Sequence, residues 1–207
     1  MSLAKEINNR ISEEDYLSDE LLSHTKHEYI DGQVYAMAGA SKNHERIAGN
    51  IFRGLGNNLQ QKKSSCEVFS SDIKVRIADN NIAYFYPDVM VTCDPDDNDS
   101  EYYINTPVII VEVLSKSTRK NDLSTKKLFY LNIPELQEYV VIEQDFCEVE
   151  VFRKSDDWKS TVYFLGDEIN FESINVTLSV EDIYYHVKNE DMTSFLKESE
   201  GIKANDL

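Results

Sequence analysis

Residues 107–114 read Pro-Val-Ile-Ile-Val-Glu-Val-Leu. A run this short, this continuous and this rich in β-branched side chains matches a strand covered on both faces. Such strands belong to parallel or mixed sheets packed by helices. The run is far shorter than the roughly 20 residues needed to span a bilayer. One side chain interrupts it. An unpaired carboxylate inside a core costs several kcal/mol, so Glu112 calls for a partner, a proton or a metal. The ordinary alternative is a strand-end residue whose head reaches solvent.

Upstream, Ala83 to Thr92 reads as a second strand containing Pro87-Asp88. Proline inside a strand implies an edge or a bulge, and bulges re-aim side chains. Taken alone, Pro-Asp is an ordinary turn dipeptide. Cys66 to Ile77 is β-rich, with Asp79-Asn80-Asn81 as a hairpin turn. Downstream, Asn121 to Leu131 reads as a helix. Asp122, Lys126 and Tyr130 are spaced i, i+4, i+8 on it and share one face. As a surface ion pair, Asp122 and Lys126 would contribute only about 0.2–0.5 kcal/mol. Glu138 to Glu143 is a further strand, and Glu148 to Arg153 pairs with it across Gln144-Asp145. Residues 160–187 read as more strands and a short closing helix.

Toward the N-terminus, residues 12–31 look helical. Ser12 is a good N-cap, with Glu13, Glu14 and Asp15 in the first turn. Asp31-Gly32 is a turn, Gln33 to Ala38 a short strand, and Ser41 the start of another helix. In that helix Ile47, Ile51, Leu55 and Leu59 recur every four residues. The order predicts one α/β domain over residues 12–187, a mixed sheet with helices against it. The polar segments 1–11 and 188–207 are expected to fray.

Composition narrows the possibilities. With 41% apolar and 11% aromatic residues in 207, the chain can build a core, which excludes a disordered protein. The net charge of −17 argues, as an average, against a general nucleic-acid binder. The average is misleading, because residues 32–131 carry twelve acids and twelve bases. Five of those acids lie in the loop 94–101, and Lys116, Arg119, Lys120, Lys126 and Lys127 follow the Glu112 strand. That pattern permits weak, salt-sensitive nucleic-acid binding on one face. Three widely spaced cysteines without a Cys-x-x-Cys pair indicate neither a disulfide framework nor a zinc site. The four histidines lack zinc-ligand spacing, and no glycine-rich phosphate loop is present. With no apolar signal region, the expectation is a soluble, reduced, cytoplasmic protein that does not engage membranes.

Two carboxylates on adjacent strands, followed by a lysine on the next helix, suit Mg²⁺-dependent phosphodiester cleavage. Mg²⁺ takes oxygen ligands and keeps several waters. It lowers the pKa of a bound water and offsets phosphate charge. An ammonium can orient that water or stabilise transition-state charge.

The ordered motifs carry a resemblance. They run His27-Glu28-Tyr29-Ile30-Asp31-Gly32, Ala36-Met37-Ala38-Gly39 with His44, Ser71-Asp72, Pro87-Asp88-Val89, and Glu112 through Thr118. Asp122, Lys126, Tyr130 and Glu138-Tyr139 complete the set. Over residues 12–187 the chain resembles the Uma-type (Uma-two) family of restriction-endonuclease-like proteins, in the PD-(D/E)XK nuclease superfamily. The resemblance implies a mixed central sheet flanked by helices, with extra C-terminal strands. It implies a Mg²⁺-dependent endonuclease acting on DNA, with Mn²⁺ as a substitute. Asp88 and Glu112 would be metal ligands with the Val113 carbonyl, and Glu28 a supporting acid. The superfamily's usual lysine position, two residues past the second acid, is Leu114 here. Lys126 therefore takes that role, with Lys116 as the alternative. His44 and Asp72 could serve the site or simply cap and turn. A homodimer is expected, since duplex cleavage needs two sites. The competing readings are a catalytically weak or inactive binding module, and a nuclease for structured RNA or branched DNA.

Overall fold

The computed structural model describes residues 10–78, 81–94, 97 and 100–205. Helix α1 (Glu13–Glu20) is followed by strands β1 (His27–Ile30) and β2 (Gln33–Ala36) and the long helix α2 (Lys42–Gln61). Strands β3 (Glu67–Ser70), β4 (Lys74–Ala78), β5 (Ile82–Phe85), β6 (Val89–Thr92), β7 (Tyr103–Ile104) and β8 (Pro107–Leu114) come next. The chain then forms α3 (Arg119–Asn121), a π-helical turn (Asp122–Lys126) and α4 (Lys127–Tyr130). Strands β9 (Glu138–Glu143), β10 (Val149–Arg153), β11 (Ser160–Tyr163), β12 (Glu168–Phe171) and β13 (Val176–Ser179) precede α5 (Val180–Ile183) and α6 (Glu190–Asn205).

The strands form a six-stranded sheet in the order β11-β10-β9-β8-β6-β3 and a five-stranded sheet in the order β2-β1-β5-β4-β7. A separate hairpin joins β12 and β13. Strand β8 runs antiparallel to β6 and parallel to β9, so the larger sheet is mixed. As its composition demands, β8 is covered on both faces. Ile109, Val111 and Val113 pack in the core with Ile47, Ile51, Leu55 and Leu59 of α2. Ile110 and Leu114 pack on the other side with Phe85, Tyr130 and Tyr139. The two-residue period of a strand puts Glu112 on that second face, toward the five-stranded sheet and the 119–130 segment. The architecture is a mixed α/β fold with helices against a central sheet.

Several expectations change. Residues 12–31 are not one helix: Ser12 caps α1 as expected, but the helix ends at Glu20 and residues 27–30 form β1. Acidic, helix-favouring side chains hid a strand that pairs on both sides, with β2 and β5. Residues 66–77 hold two strands, β3 and β4, which belong to different sheets. The same is true of residues 83–92. Pro87 does not sit within one strand but separates β5 from β6. Of the expected hairpin turn, Asp79 and Asn80 lie outside the described residues, and the flanking strands pair antiparallel.

The cysteines also depart from expectation. Cys66 and Cys93 form a disulfide, and Cys147 is a buried free thiol. Glu67 pairs with Thr92 in the β3–β6 ladder, which brings the cysteines just beyond them together. Their separation of 27 residues concealed this, because only the strand pairing makes them neighbours. The C-terminal segment, expected to fray, is helical through α6.

Candidate active site

Three elements aim acidic side chains at one buried ammonium. Glu28 comes from β1, Glu112 from β8 and Asp122 from the start of the π-helical turn. Lys126 ends that turn. Its Nζ lies 2.7 Å from Glu28 Oε1, 3.2 Å from Glu112 Oε1 and 3.5 Å from Asp122 Oδ1. All four side chains are buried. The π turn is the local reason for this convergence. One extra residue per turn widens the helix there, and such turns recur at functional sites. Tyr130, on α4, donates its hydroxyl to Glu112 Oε1 at 2.7 Å. Tyr139 anchors the turn from below by donating to the Asp122 backbone carbonyl at 2.9 Å.

The second carboxylate sits beside this group. Asp88 lies in the break between β5 and β6, where Pro87 ends one strand and turns the chain into the other sheet. Its Oδ2 accepts the Val113 backbone N–H at 2.7 Å. His44 Nε2, from the first turn of α2, lies 3.2 Å from the same oxygen. Ser41 caps α2 by accepting the His44 N–H, which fixes the helix start and so the histidine. A strand residue directs its N–H and C=O to the same side, so the Val113 carbonyl faces the Asp88 edge of β8.

Burial controls the electrostatics. It pushes the Glu112 carboxyl well above its ordinary value, with Lys126 opposing and Asp122 and Asp88 reinforcing the rise. Glu28 and Asp122 are raised for the same leading reason, again opposed by Lys126. Burial alone would lower Lys126, but Glu112, Glu28 and Asp122 outweigh it and hold the ammonium protonated. His44 is pulled down by burial yet ends raised, because Asp88 bonds to it and attracts its charge. The cluster therefore carries more acid than one lysine can neutralise.

These side chains line a cavity of about 740 Å³. Its walls come from residues 35–40, the end of β2 and the start of the link to α2, and from Ser115, Ser117, Thr118, Asn121 and Thr125. Among the described residues, no three His, Cys, Asp or Glu side chains form a ready-made metal cluster. What exists is a pair, Asp88 and Glu112. Each has one oxygen held by the protein, and no hydrogen bond to Asp88 Oδ1 or Glu112 Oε2 is found among the described residues.

The model of the Uma2 family, described as "Putative restriction endonuclease", matches residues 14–181. The chain belongs to this family. Two relatives from Synechocystis sp. (strain ATCC 27184 / PCC 6803 / Kazusa) are each 39% identical to it. The uncharacterized protein slr1290 aligns over 177 residues, 84% of this chain and 92% of its own length. The uncharacterized protein sll1609 aligns over 145 residues, 69% of this chain and 80% of its own length. A crystal structure of "a putative nuclease belonging to DUF820" from Anabaena variabilis ATCC 29413 shares the fold. It has a TM-score of 0.66 at 18% identity, covering 84% of this chain and 97% of that one.

In this Uma2-family chain Glu28, Asp88, Glu112, Val113 and Lys126 all line the same cavity. The Asp122–Lys126 pair is buried rather than superficial, and Tyr130 is both core and a donor to Glu112. Lys116 does not line the cavity, and Asp72 forms a turn beside it, paired with Lys26. Sequence reasoning missed Lys26 and Tyr86 as lining residues, and the partnership of His44 with Asp88. His44 was visible as a first-turn residue after the Ser41 cap, but nothing local pointed to Asp88.

Proposed function

We propose that the protein is a Mg²⁺-dependent endonuclease that hydrolyses phosphodiester bonds in DNA, with Mn²⁺ able to substitute. The observation that carries this reading is the Asp88–Glu112 pair at the cavity, each with one tethered and one uncommitted oxygen. Hard cations take oxygen ligands, and an acid-rich site with too few bases favours a divalent ion. Asp88, Glu112 and the Val113 carbonyl would hold it. When bound, such an ion lowers the pKa of a water and offsets charge on the scissile phosphate.

The chain's own residues supply the rest. Val113 N–H and His44 fix the Asp88 carboxylate, so its uncommitted oxygen keeps one direction. Tyr130 does the same for Glu112. Lys126 remains charged at neutral pH and can hold the attacking water or stabilise phosphate charge. Glu28 and Asp122 position that ammonium from two further sides. We also propose a homodimer, which gives the assembly two such cavities.

The test is nicking of supercoiled plasmid in Mg²⁺ or Mn²⁺. Asp88→Ala and Glu112→Ala are expected to lose at least about 100-fold, the scale of removing a key transition-state contact. Variants that cut as fast as the wild type would overturn the assignment. A protein that binds no Mn²⁺ below millimolar concentrations would instead be a nuclease-fold binding module.

A further inference from the structure

The cavity has two unlike walls over one acidic floor. Its floor residues are almost wholly covered: Glu112 is 3% exposed, Lys126 5% and Glu28 9%. One wall is hydroxyl- and amide-bearing, formed by Ser115, Ser117, Thr118, Asn121 and Thr125. The other is an apolar ledge that leads from Tyr35 through Ala36-Met37-Ala38-Gly39-Ala40. Tyr35 is 46% exposed, and its hydroxyl donates to Gln33. Ala36, Ala38, Gly39 and Ala40 are exposed and Met37 partly so. In so acidic a protein, an exposed uncharged ledge with one flat ring, continuous with the candidate active site, calls for an occupant.

We infer that this ledge receives an unpaired nucleobase, so that the substrate is a single DNA strand, or a frayed or flap end, rather than intact duplex. The inference rests on the nuclease reading above. A phosphate against Asp88 and Glu112 places its neighbouring sugar and base within the same cavity. The hydroxyl wall suits sugar and phosphate oxygens, and the ledge suits a base face. Bases offer that face only when unpaired, since duplex pairing hides them in the stack, and base–aromatic stacking is tolerant of sequence. Size points the same way. A cavity of about 740 Å³ is of small-ligand scale, with room for nucleotides.

Charge agrees. Duplex DNA carries one negative charge per roughly 1.7 Å of axis, so holding it takes many cations in register. The net charge is −17. Lys26, which lines the cavity, is already paired with Asp72, and Arg119, just past the hydroxyl wall in sequence, is paired with Glu143. A single strand has lower charge density and gains part of its affinity from stacking instead.

The experiment compares one oligonucleotide sequence, carrying 2-aminopurine at its centre, as a single strand and as a duplex. Fluorescence quenching in Ca²⁺ reads binding, and cleavage in Mg²⁺ or Mn²⁺ reads turnover. The wild type is expected to bind and cut the single strand at least about tenfold better. Tyr35→Ala should weaken single-strand binding roughly 5- to 150-fold, the span of one stacking contact, and Tyr35→Phe should restore it. Gly39→Leu should block the ledge. Gly39 has no positive φ, and nothing stands within 4 Å of an added Cβ, so the variant folds without strain. Equal use of duplex, or Tyr35→Ala and Gly39→Leu variants that bind as the wild type does, would overturn the inference. Duplex cleavage without single-strand preference would leave the nuclease reading intact. Tyr35-dependent single-strand binding without any cleavage would do the reverse.

Discussion

Tyr130 does two jobs with one side chain, and they can be separated. Its ring is fully buried among Phe85 and Tyr139, while its hydroxyl is a neutral donor to Glu112. Tyr130→Phe keeps the ring and deletes only the donor. Glu112 Oε1 then relies on Lys126 alone. A buried acceptor that loses a partner costs about 1–3 kcal/mol. For a chain of this size that lowers Tm by roughly 2–4 °C per kcal/mol. The expected result is a melt several degrees below wild type together with slower cleavage, since Glu112 also loses its orientation. A variant that melts at or above the wild-type temperature would show that the hydroxyl adds nothing to the site. The residue scale is also where the sequence was most readable. A glutamate inside Pro107–Leu114 announces itself, because burying it unpaired is expensive. His44 does not, since nothing in a capped helix start says that an aspartate from a distant strand break will meet it.

At the scale of elements, the π-helical turn decides the site. An α-helical register would already put Asp122 and Lys126 on one face, but the wider turn lets Lys126 reach Glu28 and Glu112 as well. Ser124 is exposed, so its deletion removes the extra residue without emptying the core. The helix should survive, and circular dichroism should change little. Activity should fall to the level of Lys126→Ala, because the ammonium is rotated away from the acids. Retained cleavage would mean the bulge is incidental. No sequence pattern marked this turn, because i, i+4, i+8 spacing reads as ordinary helix. Elsewhere legibility followed the dominance of local over distant forces. Helix α2 was visible because its buried face repeats every four residues, and β8 because every neighbour covers it. Strand β1 was hidden because the acid-rich helix before it masks its start and only its pairing partners make it a strand. The break at Pro87 and the Cys66–Cys93 bond were hidden for the same reason: each depends on which sheet a segment joins.

At the scale of the whole molecule, charge and pH meet in the buried acids. Glu28, Glu112 and Asp122 all have folded-state values raised above their ordinary ones, burial being the leading cause. The sign follows from proton counting. Above about pH 4 the unfolded chain releases these protons while the folded protein retains them, so the folded state binds more. Metal-free stability must then fall as pH rises from there, until the folded values are passed. Lys126 acts at a different pH. Its raised value adds stability that is present below its ordinary pKa and lost only in strong alkali. The surface acids behind the net charge of −17 push in the same direction as the buried three, through self-repulsion. Salt separates the two, since about 0.5 M NaCl screens exposed charges and leaves buried ones largely unscreened. Under that salt, the metal-free Tm should still decline between pH 5 and pH 8. A divalent cation competes with the protons and binds only ionised carboxylates, so Mg²⁺ should raise Tm far more at pH 8 than at pH 5. At 100 times its Kd, a ligand adds about 2.7 kcal/mol. Glu112→Gln should flatten the metal-free decline and remove most of the Mg²⁺ increment in the same melts. A metal-free Tm that climbs from pH 5 to pH 8 in high salt, or a Mg²⁺ increment equal at both pH values, would show that the acids are held by Lys126 alone and await no cation.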